Sequence, residues 1–500
     1  MTSTFAAQLI DPSLFVERAY INGKWVSSTP ASTNVFSVLN PATETIIGTC
    51  PESTTEDLDL AIQAATDAFP AWRSLSGRQR GRILRWVYDL LVENKEDLGR
   101  FITAENGKAK GDAEGEVLFA ASFFEWFGEE APRVYGDVIP HSTSGSRVRV
   151  LKEPVGVCGL ITPWNFPLAM GARKIAAALA AGCTVVVKSD GVTPFASNGL
   201  VVLMERAGVP AGVVNVVTAL ENTPVLGRGL CEDERVRKIS FTGSTRVGRL
   251  LMRQGSGTLK KLSLELGGNA TFIVFDDAEV EVAVASALVS KFKVTGQTCV
   301  CANRMFVQEG IYNRFCERLV EEVAKFRVGD GLEDAAVTHG PLMNGVGKVE
   351  ELVGDAVEKG AKVLLGGKRL LSMGKNFYEL TILGDVDDTM RVTAEEIFGP
   401  VAALSKFSTE DEVVRRANNC EVGLASYVMT SDLARSHRVS ERLEAGMVAI
   451  NMGVISDAPA PFGGVKYSGV GREGSKYGIE DYMNIKMVVT GGIDPVHTSL

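Results

Sequence analysis

The stretch from Val155 to Ser240 constrains the fold most, because it alternates short β-prone runs with helical ones. Val155–Ile161 is a continuous apolar run, and Arg173 to Ala181 is Ala-rich and stops at Gly182. Thr184–Lys188 is β-branched, Phe195 to Ala207 has helical composition and stops at Gly208, and Val213–Val217 is β-branched again. Strands that alternate with helices, and that are apolar on both faces, imply an α/β protein with a doubly wound parallel sheet. Such sheets bind ligands at the carboxyl ends of their strands, and Lys188 stands at one such end. Ile239–Ser244 reads as a further strand and turn, with a helix from Thr245 to Gln254. The free N–H groups and dipole of that helix suit a pyrophosphate, although a bare Gly-Ser cap explains the same letters. Past Gly268 a second α/β unit starts with the Thr271–Phe275 strand and a Val280 to Phe292 helix, and the alternation runs to about Asn451.

Upstream, Tyr20 to Ile47 carries β-prone runs around the hairpin signal Asn22-Gly23. Ser53-Thr54-Thr55-Glu56 reads as a capping box before a helix whose apolar face holds Leu58, Ile62, Ala65 and Phe69. One helix is expected over Arg78 to Leu98 and another over Gly111 to Arg133. The second holds Phe119, Phe123, Phe124, Trp126 and Phe127, a core or tunnel wall rather than a cofactor box. After the turn Ser142–Ser146, Arg147–Leu151 alternates like a half-exposed strand.

Five hundred residues correspond to roughly three domains. A net charge of −9 with no long basic run argues against nucleic acid as a partner. Eight cysteines without framework spacing read as reduced thiols of an intracellular protein. His141, His339, His437 and His497 form no ligand motif, so no metal site is expected. No apolar run approaches the length of a membrane helix. The N-terminus lacks an Arg-rich amphipathic start, and Thr498-Ser499-Leu500 lacks the basic residue of a peroxisomal signal. A cytoplasmic location is expected, with an organelle left open.

Three stretches carry chemistry. Gly296-Gln297-Thr298-Cys299-Val300-Cys301 places a thiol behind a flexible Gly and an amide. Leu262–Asn269 places the lone carboxylate of Glu265 in an apolar run closed by two glycines, and Thr162–Pro167 places Asn165 in a Pro-bracketed loop. Thiol, carboxylate and amide are the nucleophile, base and oxyanion donor of a thiohemiacetal mechanism. Two of the three have a bland alternative: a packed cysteine pair for Cys299 and Cys301, and a satisfied strand carboxylate for Glu265.

Together with Phe241–Ser244 and Glu396-Ile397-Phe398-Gly399-Pro400, these stretches resemble the aldehyde dehydrogenase superfamily from about Ile21 to Val488. The runs Phe272–Ala278, Gln297–Arg304 and Pro461–Tyr482 look closest to its succinate-semialdehyde dehydrogenases. The resemblance implies a cofactor domain over 1–136 and 155–266, a catalytic domain over 267–470, and an oligomerisation element over 137–154 and 471–500. It further implies a homodimer or homotetramer. It makes Cys299 the nucleophile, Asn165 with the Cys299 N–H the oxyanion site, and Glu265 the base for thioester hydrolysis. It places NAD or NADP against Trp164, Lys188, Ser189, Gly243, Ser244, Gly248, Gly267, Glu396 and Phe398.

The chain departs from the family pattern in places. After Lys188 it reads Ser189-Asp190-Gly191, with Gly where NAD-preferring members place Glu, so NADP is expected to be accepted. The substrate carboxylate is expected to meet Arg173, Ser456 and Lys293, the last a Lys where the group usually has Arg. Cys301 is expected as a redox partner of Cys299 through a strained, easily reduced disulfide. Gly469-Val470-Gly471-Arg472-Glu473-Gly474 fits the dinucleotide fingerprint but follows no clear strand, and reads instead as a loop near the catalytic entrance. Two alternatives to a succinate-semialdehyde enzyme stay open: the same chemistry on another aldehyde, or a non-catalytic binding role on this fold.

Overall fold

The computed structural model describes residues 5–27 and 34–493. His497 and the Thr498–Leu500 tail lie outside the described residues. Two large sheets organise the chain. In the first, the strands Val214–Val217, Thr184–Lys188, Val157–Ile161, Val236–Thr242 and Lys261–Glu265 lie side by side and all parallel. This is the doubly wound core expected from the strand–helix alternation. The Ala19–Ile21 and Lys24–Val26 hairpin adds antiparallel strands at one edge. The second sheet orders Lys362–Leu365, Thr381–Gly384, Val401–Phe407, Ala302–Gln308, Ala270–Val274, Ala425–Met429 and Met447–Ile450, parallel except for the first. A small third sheet pairs Met483–Thr490 with Arg147–Pro154, and the latter with Val138–Pro140.

Three expectations need correction. The first cap is shifted by one residue: Thr54 and Asp57 form the reciprocal box, and the helix is Thr55–Ser74. The continuous helix over 78–98 is two helices, Gly77–Glu93 and Lys95–Asn106. Asn94 separates them by turning its amide onto the Leu90 carbonyl at 2.8 Å, the local competition that Asn side chains offer a helix. The glycine-rich segment at 469–474 is not simply a loop. Gly469–Val470 is a short strand that pairs antiparallel with Leu264 and Glu265 and covers the open edge of the first sheet. Between that strand and the third sheet, the Ser475–Glu480 helix packs on the helices of the first unit.

The largest core lies between the Lys110–Glu130 helix and the Ala169–Ala181 helix. Phe123, Phe124 and Phe127 are buried there, whereas Phe119 reaches a cavity wall. Among the described residues no helix is long and apolar enough to cross a membrane.

Candidate active site

A cavity of about 340 Å³ opens between the two units. Its lining includes Gly243, Ser244, Gly267, Glu396 and Phe398, and also Arg173, Lys293 and Ser456. Cys299, Asn165 and Trp164 lie along it. Segments distant in sequence therefore meet at one surface: the Cys299 loop, the Asn165 loop and the Leu266-Gly267 stretch.

The thiol loop follows the Val280–Phe292 helix. Burial pushes the Cys299 thiol up to about 12; Arg173 opposes that, while Glu396 and Glu265 add to it. The Asn165 amide donates one N–H to the Gln297 carbonyl at 2.9 Å, which leaves its second N–H free of that bond. Trp164 and Phe398 meet edge to face, their ring centroids 5.5 Å apart.

Glu265 ends the Lys261–Glu265 strand, is 1% exposed, and does not line the cavity. Neither of its carboxyl oxygens has a hydrogen-bond partner among the described residues. Burial holds its pKa well above the usual carboxyl range and Glu473 adds to that, with Arg173 and Lys174 opposing.

Arg173, 2% exposed, is held from several sides. Its Nε lies 2.7 Å from a Glu473 carboxylate oxygen, Nη2 donates to the Met170 sulfur at 3.0 Å, and its guanidinium sits 4.2 Å from the Phe462 ring centroid. Glu473 also pairs with Lys174, and these cations hold it below the usual range against its burial. Glu473 and Lys174 escaped the sequence reading. Glu473 lay inside the glycine fingerprint, where nothing marks it as the partner of a residue 300 positions away.

The adenosine-side candidates are placed differently. Lys188 and Ser189 sit at the carboxyl end of their strand but off the cavity. Burial lowers the Lys188 ammonium to about 8, against the pull of Asp190 and Glu52. A Cβ at Gly191 would lie 2.5 Å from the Ala219 carbonyl oxygen. Gly248 is one turn into the Thr245–Gly255 helix, where a Cβ would strike Leu266. Ser244 caps that helix. Glu396, raised by burial to about 7, accepts the Gly268 N–H at 3.1 Å and lies close to where a Cβ at Gly267 would stand. A helix N-terminus, a hydrogen-bonding carboxylate and a side-chain-free approach fit a dinucleotide.

Cys301 is buried and turned from the cavity, its thiol donating to the Lys291 carbonyl at 3.0 Å. Both Cys299 and Cys301 are free thiols, and a bond between them requires Cys301 to leave that contact.

The chain matches the aldehyde dehydrogenase family model over residues 25–488. It is 52% identical to a glutarate-semialdehyde dehydrogenase of Pseudomonas putida, over 96% of this chain and 98% of the relative. It is 51% identical to a succinate-semialdehyde dehydrogenase [NADP(+)] of Escherichia coli, over 97% of this chain and 100% of the relative. The crystal structure of an E. coli NADP dependent enzyme superposes with a TM-score of 0.94 at 51% identity, covering 97% of this chain and 100% of that one. The motifs, the cavity they line and these likenesses agree: the chain belongs to the aldehyde dehydrogenase family, enzymes that oxidise an aldehyde to the acid with NAD(P).

Proposed function

We propose that the protein oxidises a short aldehyde bearing a carboxylate at its far end, with succinate semialdehyde as the leading substrate. The observation that carries this reading is that Arg173, Lys293 and Ser456 line the same cavity as Cys299. Relatives are named for ω-carboxy semialdehydes of two chain lengths, glutarate and succinate, which supports a carboxylate-bearing aldehyde.

In this reading the Cys299 sulfur adds to the aldehyde carbon, and the oxyanion accepts the free N–H of Asn165 and the Cys299 N–H. Bound NAD(P) supplies the hydride acceptor. Trp164, Gly243, Ser244, Gly267, Glu396 and Phe398 hold its nicotinamide and pyrophosphate part, and Lys188 and Ser189 its adenosine part. Ionised Glu265 takes a proton from the water that hydrolyses the Cys299 thioester. The division of labour follows the units, with the first sheet and its helices as cofactor domain, 267–470 as catalytic domain, and the third sheet as the contact of a homodimer or homotetramer.

Cofactor preference follows from Gly191. Without a carboxylate there nothing at that position repels a 2′-phosphate, so NADP is used readily. A kcat/KM ratio for NAD over NADP above about 100, roughly 2.7 kcal/mol, rules this out.

Lys293 keeps the charge of an Arg but not the planar fork that grips a carboxylate with two bonds. The acid end is therefore held less tightly than two arginines would hold it. Arg173→Ala raises KM for succinate semialdehyde far more than for butanal, and Lys293→Arg tightens the acid substrate. If butanal is already the better substrate of the unaltered enzyme, the carboxylate clamp is wrong and another aldehyde takes its place.

A further inference from the structure

The Cys299 loop and the Asn165 loop belong to different units, yet one corner of the chain holds both. It lies between the Lys95–Asn106 and Lys110–Glu130 helices. Toward Asn165, the Asn106 amide donates to the Trp164 carbonyl at 2.9 Å, and the Lys108 ammonium sits 3.8 Å from the Phe166 ring centroid. Glu116 forms a buried ion pair with Lys108 and accepts the Leu168 and Ala169 N–H groups at 3.0 and 3.1 Å. Toward Cys299, Asp112 Oδ2 accepts the Val294 N–H at 3.0 Å.

That last bond falls on unusual backbone. Val294 (φ 55°, ψ 35°) and Thr295 (φ 53°, ψ 34°) are left-handed, and Gly296 continues the turn at φ 74°. Left-handed geometry crowds Cβ against the carbonyl, and β-branched residues tolerate it least. Residues in such a state persist only where the surroundings over-determine them, and they gather at functional sites. Thr295 Oγ1 donates to the Gly340 carbonyl at 3.0 Å, and the Gln297 amide spans the Val294 carbonyl at 3.3 Å and the Met343 N–H at 2.9 Å. Asp112 supplies the bond at the first left-handed residue, and ties the turn to the corner that carries the Asn165 loop.

We propose that Asp112 is a positioning residue, whose carboxylate latches the Val294–Gly296 turn in its left-handed form and so sets Cys299 against the Asn165 amide. The proposal rests on the reading of Cys299 as nucleophile. Asp112 acts through the Val294 backbone, and the latch is needed because position 294 carries a Val; an Asn adopts this conformation with little strain.

The experiment is the pre-steady-state burst of reduced cofactor, which reads acylation directly. In Asp112→Ala the burst rate falls about tenfold or more, as expected when a reacting atom is displaced slightly, while KM for NAD(P) stays within about twofold. Asp112→Asn keeps an acceptor oxygen and the side-chain size, and retains at least about a third of the rate. The deciding variant is Asp112→Ala combined with Val294→Asn, in which the turn holds itself: its burst returns to within about threefold of the unaltered enzyme. A normal burst in Asp112→Ala overturns the latch. So does a double variant as slow as the single one, because the charge of Asp112 rather than the turn would then be what acylation needs. An Asp112→Asn enzyme as impaired as Asp112→Ala overturns it too, and stands if the alanine variant does not fold. Cys299→Ala separates the two levels: a burst that survives this change rejects the nucleophile itself, whatever Asp112 does.

Discussion

Glu265 is a carboxyl with no hydrogen-bond partner among the described residues, set among the cations Arg173, Lys174 and Arg472 and a second carboxylate, Glu473. Its raised pKa has a direct consequence. Below that pKa the group carries its own proton and cannot take one from water; above it, it can. Turnover limited by thioester hydrolysis therefore climbs with pH, about tenfold per unit on the acid side, until Glu265 is ionised. Glu265→Gln leaves the burst of reduced cofactor and removes both fast turnover and that acid limb. An unchanged steady-state rate or an unchanged pH profile means another group is the base. Cys299, Asn165 and Glu396 were legible because each sits in a short motif whose letters suit its chemistry: Cys299 after Gly-Gln-Thr, Asn165 between prolines, Glu396 before Ile-Phe-Gly-Pro. Their supports were not. Asp112 meets Val294 across 182 positions and Glu473 meets Lys174 across 299, and a single sequence carries no signal for pairs so far apart.

At the scale of elements, hydrophobic period and glycine stops located the strands and helices well, and their ends poorly. Arg78 to Leu98 keeps one apolar face across Asn94, so periodicity alone joins two helices that an Asn side chain divides. The first cap failed for a different reason. Ser53-Thr54-Thr55-Glu56-Asp57 offers two overlapping frames, Ser53 with Glu56 and Thr54 with Asp57. Tertiary structure selects the second: Ser53 is already committed, its hydroxyl accepting the Thr218 N–H at 3.3 Å and its own N–H donating to the Thr218 carbonyl at 2.9 Å. Thr54→Ala therefore costs about 1 kcal/mol, the usual worth of an N-cap. Glu56→Ala, at an exposed site outside the box, costs a few tenths at most. The midpoints of the first denaturant transition give both values, and equal losses in the two variants would assign the cap to neither frame.

At the scale of the molecule, the two α/β units close on the cavity while nothing among the described residues covers the third sheet. Its middle strand, Arg147–Pro154, is paired on both sides, but Met483–Thr490 is an eight-residue edge. Ile485 at 75% exposure, Met487 at 66% and Val489 fall two residues apart and so share a face, and Val138 and Ile139 expose further apolar surface on the same sheet. A long edge with an apolar face is a liability unless something pairs with it or covers it. The Ser475–Glu480 helix that precedes this strand packs on the helices of the first unit, and Glu473, two residues before it, pairs with Arg173. In our reading the cover is another copy of the chain. Ile485→Glu with Met487→Lys puts opposite charges on the exposed face without touching the Lys486–Glu153 ion pair on the other. The variant should sediment as a smaller species than the unaltered protein, with its secondary structure intact because both side chains are already exposed. A variant that sediments like its parent removes the strand from the interface and leaves the apolar face to be explained by something other than a second copy.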